Sequence, residues 1–135
     1  MVQATPFLLV LFLALGAHGL STEKCILTGT WVNDLGSNMT ISKVNEMGEF
    51  SGIYYTAVSD TTEKIKKSPL LGYQNMPNLL SQPVFGFTVN WTFADSITVF
   101  TGQCFVDGNK EEILKTMWLL RSHAGKLEDD WKATK

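Results

Sequence analysis

Phe85-Gly86-Phe87-Thr88-Val89-Asn90-Trp91-Thr92-Phe93 alternates large apolar residues with small or polar ones without a break. A period of two marks a strand with one buried face, so Phe85, Phe87, Val89, Trp91 and Phe93 are predicted to point into a core. The neighbouring stretches repeat the pattern. Phe50, Gly52, Tyr54, Thr56 and Val58 share one face, Thr98, Phe100, Gly102 and Cys104 another, and Leu114, Thr116, Trp118 and Leu120 a third. Gly29, Trp31 and Asn33 do the same near the start. No window sustains an apolar stripe of period 3.6, so the chain reads as all-β.

Strands are expected over residues 29–33, 38–44, 49–58, 70–75, 84–93, 97–106 and 112–121, with another beginning near Trp131. Between them lie Gly36-Ser37, Glu46-Met47-Gly48, Asp95-Ser96 and Asp107-Gly108-Asn109, turn chemistry short enough to join antiparallel neighbours. Pro69, Pro77 and Pro83 fall at or beyond expected strand ends, where a missing amide donor costs little. Many short strands at near-regular spacing suit a sandwich or an up-and-down barrel.

Met1 to Ser21 contains no Asp, Glu, Lys or Arg and carries the apolar run Pro6 to Leu15. That run is too short to span a bilayer, and Ala17, Gly19 and Ser21 follow it at cleavage-like spacing, so residues 1–21 read as a signal peptide. The cut is placed after Ser21, and one after Gly19 also fits. Residues 22–135 then form one soluble, secreted, extracellular domain with a formal net charge of −2. A mildly acidic chain without a basic stripe is a poor partner for nucleic acid, and no segment reads as a membrane anchor. Two cysteines, Cys25 and Cys104, are an even count in an exported chain and argue for a disulfide.

The inward faces bring Trp31, Trp91, Trp118, Phe100 and Tyr54 towards one box, with Asn33, Ser37, Tyr54, Thr56 and Thr98 as its polar members. Core aromatics filling a small barrel are the plainer reading of any single one of these. Together they would bury several polar groups without partners unless a small polar-headed ligand or water completed them. The outward rows Ile97, Val99, Phe105 and Ile113, Met117, Leu119 would leave large apolar patches, which predicts a homo-oligomer.

Five blocks carry a family resemblance: Gly29-Thr30-Trp31, Asn33 through Ile41, Phe85 through Trp91, Val99 through Cys104 and Leu114 through Arg121. On these the chain resembles the avidin family of biotin-binding proteins, from Cys25 to its last residue. The resemblance implies an eight-stranded antiparallel up-and-down barrel, a homotetramer, and biotin as ligand with no cofactor. It assigns Asn33, Ser37 and Tyr54 to the ureido oxygen of biotin, Thr56 to a ureido nitrogen and Thr98 to the thioether sulfur. Trp31, Trp91, Phe100 and Trp118 would enclose the rings. Ser59, the amides of Asp60 and Thr61, and Ser96 would meet the carboxylate, while Trp131 would reach a neighbouring subunit's site. Withholding biotin from microbes is the purpose such a protein would serve.

Four departures from the family pattern accompany this. Ala94 stands where a carboxylate-holding hydroxyl is common in the family, and the mature chain is mildly acidic where the family has a strongly basic member. The sequence ends at Lys135 before a full last strand, read here as an incomplete sequence, which predicts a barrel left unclosed. Two sequons occur: Asn38-Met39-Thr40 is expected to carry a glycan, whereas Asn90-Trp91-Thr92 sits in a surface the family buries and is expected to be unmodified.

Other functions find less support. Gly29-Thr30-Trp31 also opens lipocalin barrels, which carry small apolar ligands, but the later blocks do not fit. A glycosidase would need a pair of converging carboxylates, and the adjacent pairs Glu111-Glu112 and Asp129-Asp130 cannot share a strand face. His123, the lone histidine after residue 21, has no nucleophile motif beside it. No catalytic residue and no metal site are expected.

Overall fold

The computed structural model describes residues 9–14, 24–56 and 66–135. Eight strands, β1 (Leu9–Ala14), β2 (Gly29–Asn33), β3 (Asn38–Ile41), β4 (Glu49–Thr56), β5 (Lys66–Gln74), β6 (Val84–Asn90), β7 (Ser96–Val106) and β8 (Glu112–Ser122), close into one antiparallel barrel. Each strand pairs with its neighbours in chain order, and β1 joins the two ends by pairing with both β2 and β8. The all-β, up-and-down reading holds.

The expectation of an open barrel does not. Leu9–Ala14, read from sequence as the centre of a removable leader, lies beside β8 with Phe12 opposite Leu114, and beside β2 with Phe12 opposite Asn33. A continuous apolar run suits a buried strand as well as a leader, and periodicity does not separate the two. The strand expected from Trp131 is also absent. Leu127–Lys132 forms a short 3₁₀ helix instead, and only the last residues return to the sheet. Leu120 N–H donates to the Lys135 carbonyl (2.8 Å) and Ser122 N–H to that of Ala133 (2.7 Å). The outer edge of β8 is thus divided between β1, along Ile113 to Met117, and the chain end, along Leu120 to Ser122.

Two strands differ in extent for reasons the register supplies. β5 begins at Lys66 and takes Pro69 inside it, opposite Ile53 of β4. Pairing with β6 starts only at Leu70, so Pro69 faces no second strand and its missing N–H breaks no ladder bond. β6 ends at Asn90, and the predicted inward Phe93 is 44% exposed in the following turn. There Thr92 N–H donates to Ser68 Oγ (3.1 Å) and Thr92 Oγ1 to the Lys67 carbonyl (2.8 Å), bonds to side chain and backbone that replace the ladder.

Three hairpins use one device. Asn33, Asn45 and Asp107 each accept, through the side-chain oxygen, from the amides two and four residues on, at 2.8–3.0 Å. The residue three positions after each is left-handed: Gly36 and Gly48 at φ 90°, Lys110 at φ 65°. An Asx acceptor followed by a left-handed residue sets the bulge that turns a strand back on itself.

Inside the barrel, Phe87 and Phe100 face each other across the β6–β7 ladder and stack at 4.7 Å, flanked by Phe50 and Phe85. The Cys25–Cys104 disulfide closes one end over a separation of 79 residues. Closing a loop of that length stabilises the fold by about 4.5 kcal/mol in the chain-entropy model.

Of the three left-handed hairpin positions only Lys110 carries a side chain, at a cost that glycine avoids. Lys110→Gly is therefore expected to raise the urea midpoint, by about 1 kcal/mol of stability; a lower midpoint would contradict the shared hairpin geometry.

Candidate functional site

The chamber is built from β2, β4, β7 and β8 with the loop that follows β2. Trp31 at the centre of β2 is buried, and its indole N–H donates to the Leu27 carbonyl (2.8 Å). Asn33 ends the strand half-buried. Its Oδ1 is taken by the amides of Leu35 and Ser37, both at 3.0 Å, so the turn device leaves the Nδ2 hydrogens as the donors of that side chain. Ser37, placed by the same turn, is buried and hydrogen-bonds to the Tyr54 phenol.

Tyr54, on β4, is buried among rings: Phe100 stacks at 5.9 Å, and Trp91 meets it edge-on at 5.3 Å. On β7, Thr98 is buried and accepts from Trp91 Nε1–H at 2.7 Å. That bond holds the indole, which has left its strand, against the chamber and leaves the Thr98 hydroxyl hydrogen for another acceptor. Trp118 lies opposite Phe100 across the β7–β8 ladder and packs half-buried against the same cluster. Thr56 is half-buried at the end of β4.

The sequence-predicted residues Trp31, Asn33, Ser37, Tyr54, Trp91, Thr98, Phe100 and Trp118 are thus brought together. Others are not. Ser96 lines a depression of about 530 Å³ with Ala94, Arg121 and His123. Trp131 is 79% exposed on the 3₁₀ helix, where its neighbour Asp130 pairs with Arg121 at 2.7 Å. Ser59, Asp60 and Thr61 lie outside the described residues.

One residue of the chamber went unforeseen. Phe12 of β1 is fully buried, edge-on to Tyr54 at 6.5 Å and to Phe100 at 6.1 Å. The strand is held in addition by Thr116, whose hydroxyl donates to the Val10 carbonyl (3.0 Å). The buried Ser68, anchoring the turn after β6, was missed as well. Its alternation with Leu70 was the available signal, obscured by Pro69.

Among the described residues the buried polar side chains are hydroxyls, Ser37, Ser68, Thr98 and Thr116, besides the Tyr54 phenol. No buried carboxylate, imidazole or ammonium is among them, and no group of metal-ligating side chains occurs among the described residues. Such an interior offers hydrogen bonds to a neutral polar head and apolar faces to its rings.

Burial pushes the Tyr54 phenol up to about 12 from the ordinary 10.0, with the Ser37 hydrogen bond acting the other way and less strongly. It therefore remains a hydrogen-bond donor throughout the neutral range. Below pH 10 the phenol is protonated folded or unfolded, and its contribution is complete; between pH 10 and 12 only the unfolded chain gives up the proton, so stability falls as pH rises. The Tyr54 share of that loss is roughly 2–3 kcal/mol. Denaturation of the wild type and Tyr54→Phe across this window should show their stability difference shifting by that amount in favour of the variant; a constant difference would remove the assignment.

The model of the Avidin family matches residues 21–135. Avidin of Gallus gallus is 62% identical over 138 aligned residues, covering 100% of this chain and 91% of avidin. Avidin-related protein 4/5 of the same species is 59% identical, covering 95% and 84%. Among solved structures, xenavidin superposes with a TM-score of 0.76 at 55% identity, covering 83% of this chain and 92% of its own. A biotin-binding protein from chicken does so with the same score and identity, covering 84% and 92%. With barrel, disulfide and chamber in agreement, the chain belongs to the avidin family.

Proposed function

We propose that this protein captures biotin and does no chemistry on it. The observation that carries the reading is the convergence of Asn33, Ser37 and Tyr54 at one end of an aromatic chamber without buried charge. Neutral donors gathered there favour an acceptor on which negative charge can accumulate, as the oxygen of a cyclic urea allows, with Ser37 giving up its bond to Tyr54 so that both hydroxyls donate to it. Thr56 accepts from a ureido nitrogen, and the Thr98 hydroxyl, already oriented by Trp91, meets the thioether sulfur. Trp31, Trp91, Phe100 and Trp118 enclose the rings, while Ser59, the amides of Asp60 and Thr61, and Ser96 receive the carboxylate at the mouth.

The same proposal covers export and assembly. Residues 1–21 act as a leader, the secreted chain carries a glycan on Asn38 and none on Asn90, and the protein sequesters biotin as a defence against microbes. A disulfide suits that compartment. Outside the barrel, Ile97, Val99 and Met117 of the expected outward rows are exposed, joined by Leu71 and Tyr73, whereas Phe105, Ile113 and Leu119 are half-buried. An apolar patch of this kind supports a homotetramer, in which Trp131 from one subunit meets the site of another.

Protein secreted through its own leader should change its tryptophan fluorescence stoichiometrically on titration with biotin. Trp118→Ala is expected to weaken binding roughly 100-fold and Tyr54→Phe about tenfold. Unchanged affinity in both variants would overturn the reading.

A further inference from the structure

Trp91 is held at the chamber by an exposed neighbour. Continuing the β5–β6 register, in which Leu71 faces Thr88 and Leu70 faces Val89, would set Ser68 across from Trp91 and Lys67 across from Thr92. β6 stops short of both, at Asn90. Side chains bridge the two segments instead. Ser68 Oγ accepts from Thr92 N–H (3.1 Å), and the Lys67 carbonyl accepts from Thr92 Oγ1 (2.8 Å), so each bond inserts a hydroxyl between the two backbones. Trp91 lies directly before this clip. Its indole meets Tyr54 edge-on at 5.3 Å, tilts against Phe93 at 5.9 Å and donates from Nε1 to Thr98 Oγ1 at 2.7 Å. The turn's own bond, from Ala94 N–H to the Trp91 carbonyl, is long at 3.5 Å, whereas its far end is fixed by His123 N–H donating to the Asp95 carbonyl at 3.0 Å. The turn is thus held from β5 and from the residue after β8 more firmly than from within.

We propose that Thr92 is a positioning residue for the ligand: its clip on β5 fixes the backbone that presents the Trp91 indole, and so sets how long biotin is retained. The inference rests on the biotin reading and deepens it. Thr92 itself is exposed and acts through Trp91. With the ring tied to Thr98 and the next residue tied to Ser68 and Lys67, the indole has little freedom to lose when a ligand packs against it. It has equally little freedom with which to swing aside. Release of an enclosed ligand requires some part of the wall to move, and without the clip the segment that carries the indole moves more readily. Entry depends on access to the donors at Asn33, Ser37 and Tyr54, which the clip does not touch. Its effect therefore falls on dissociation.

Release of labelled biotin from the purified protein, chased with excess unlabelled biotin, tests this. Thr92→Val should release about tenfold faster, the factor to which one lost hydrogen bond corresponds, with association within about twofold of the unsubstituted protein. Thr92→Ser keeps the hydroxyl and should retain slow release. Ser68→Ala, which leaves the Asn90-Trp91-Thr92 sequon intact, should act in the same direction as Thr92→Val. Ser42→Ala removes a hydroxyl bond of the same kind, to the Ser51 carbonyl at 2.8 Å, and should leave release unchanged. In a Trp91→Phe background, Thr92→Val should have no further effect, because the clip acts through the indole. Release unchanged by Thr92→Val or by Ser68→Ala, release from Thr92→Ser as fast as from Thr92→Val, equal acceleration by Ser42→Ala, or an undiminished effect in the Trp91→Phe background would overturn the clip and leave the biotin reading standing. Absence of biotin binding by the unsubstituted protein would overturn both.

Discussion

A closed barrel has a single inside, and every second side chain of each strand is committed to it. Polar groups that enter such a space need partners, because a hydroxyl or amide taken from water without one costs on the order of 1–3 kcal/mol. That constraint organises this molecule. Ser37 bonds Tyr54, Trp91 bonds Thr98, Trp31 bonds the Leu27 carbonyl and Thr116 bonds the Val10 carbonyl. Each bond fixes a rotamer, and the rotamers together shape a chamber. Capacity left over after these internal bonds, at Asn33 Nδ2 and at the Thr98 hydroxyl, is directed to whatever occupies the space.

The hairpin device shows how a local rule becomes a site. Asn45 and Asp107 turn strands on the barrel surface, Asn45 donating in addition from Nδ2 to Glu49 Oε1 (2.8 Å), while Asn33 uses the same acceptor geometry at the edge of the chamber. There the turn performs two tasks. It places Ser37 beside Tyr54, and it consumes the Asn33 oxygen so that the side chain presents donors alone. Preset donors and a rigid aromatic wall reduce the ordering cost that a ligand otherwise meets on binding.

Much of this was legible in the chain. Period-two alternation located β2, β4, β6, β7 and β8, and put Tyr54, Thr98, Phe100 and Trp118 on the faces they occupy. The even cysteine count in a chain read as exported pointed to the Cys25–Cys104 bond. Local pattern failed where a tertiary contact decided the outcome. Phe93 continues the alternation perfectly, but bonds from Thr92 to Ser68 and Lys67 end the strand before it. Pro69 reads as a terminator and is tolerated because β5 has one neighbour there. Leu9–Ala14 has no alternation to read, and its place is set by the gap between β2 and β8. The docking of Lys135 on Leu120 was invisible for the same reason.

The central claim is geometric: donors from separate parts of the chain converge on one atom of a neutral cyclic head. A crystal structure of the protein with biotin tests it most directly. The account predicts the ureido oxygen within about 2.6–3.2 Å of Asn33 Nδ2, Ser37 Oγ and the Tyr54 phenol together, with the indoles of Trp31, Trp91 and Trp118 around the rings. A complex in which biotin turns that oxygen towards solvent, or lodges elsewhere while Ser37 and Tyr54 remain bonded only to each other, would contradict it.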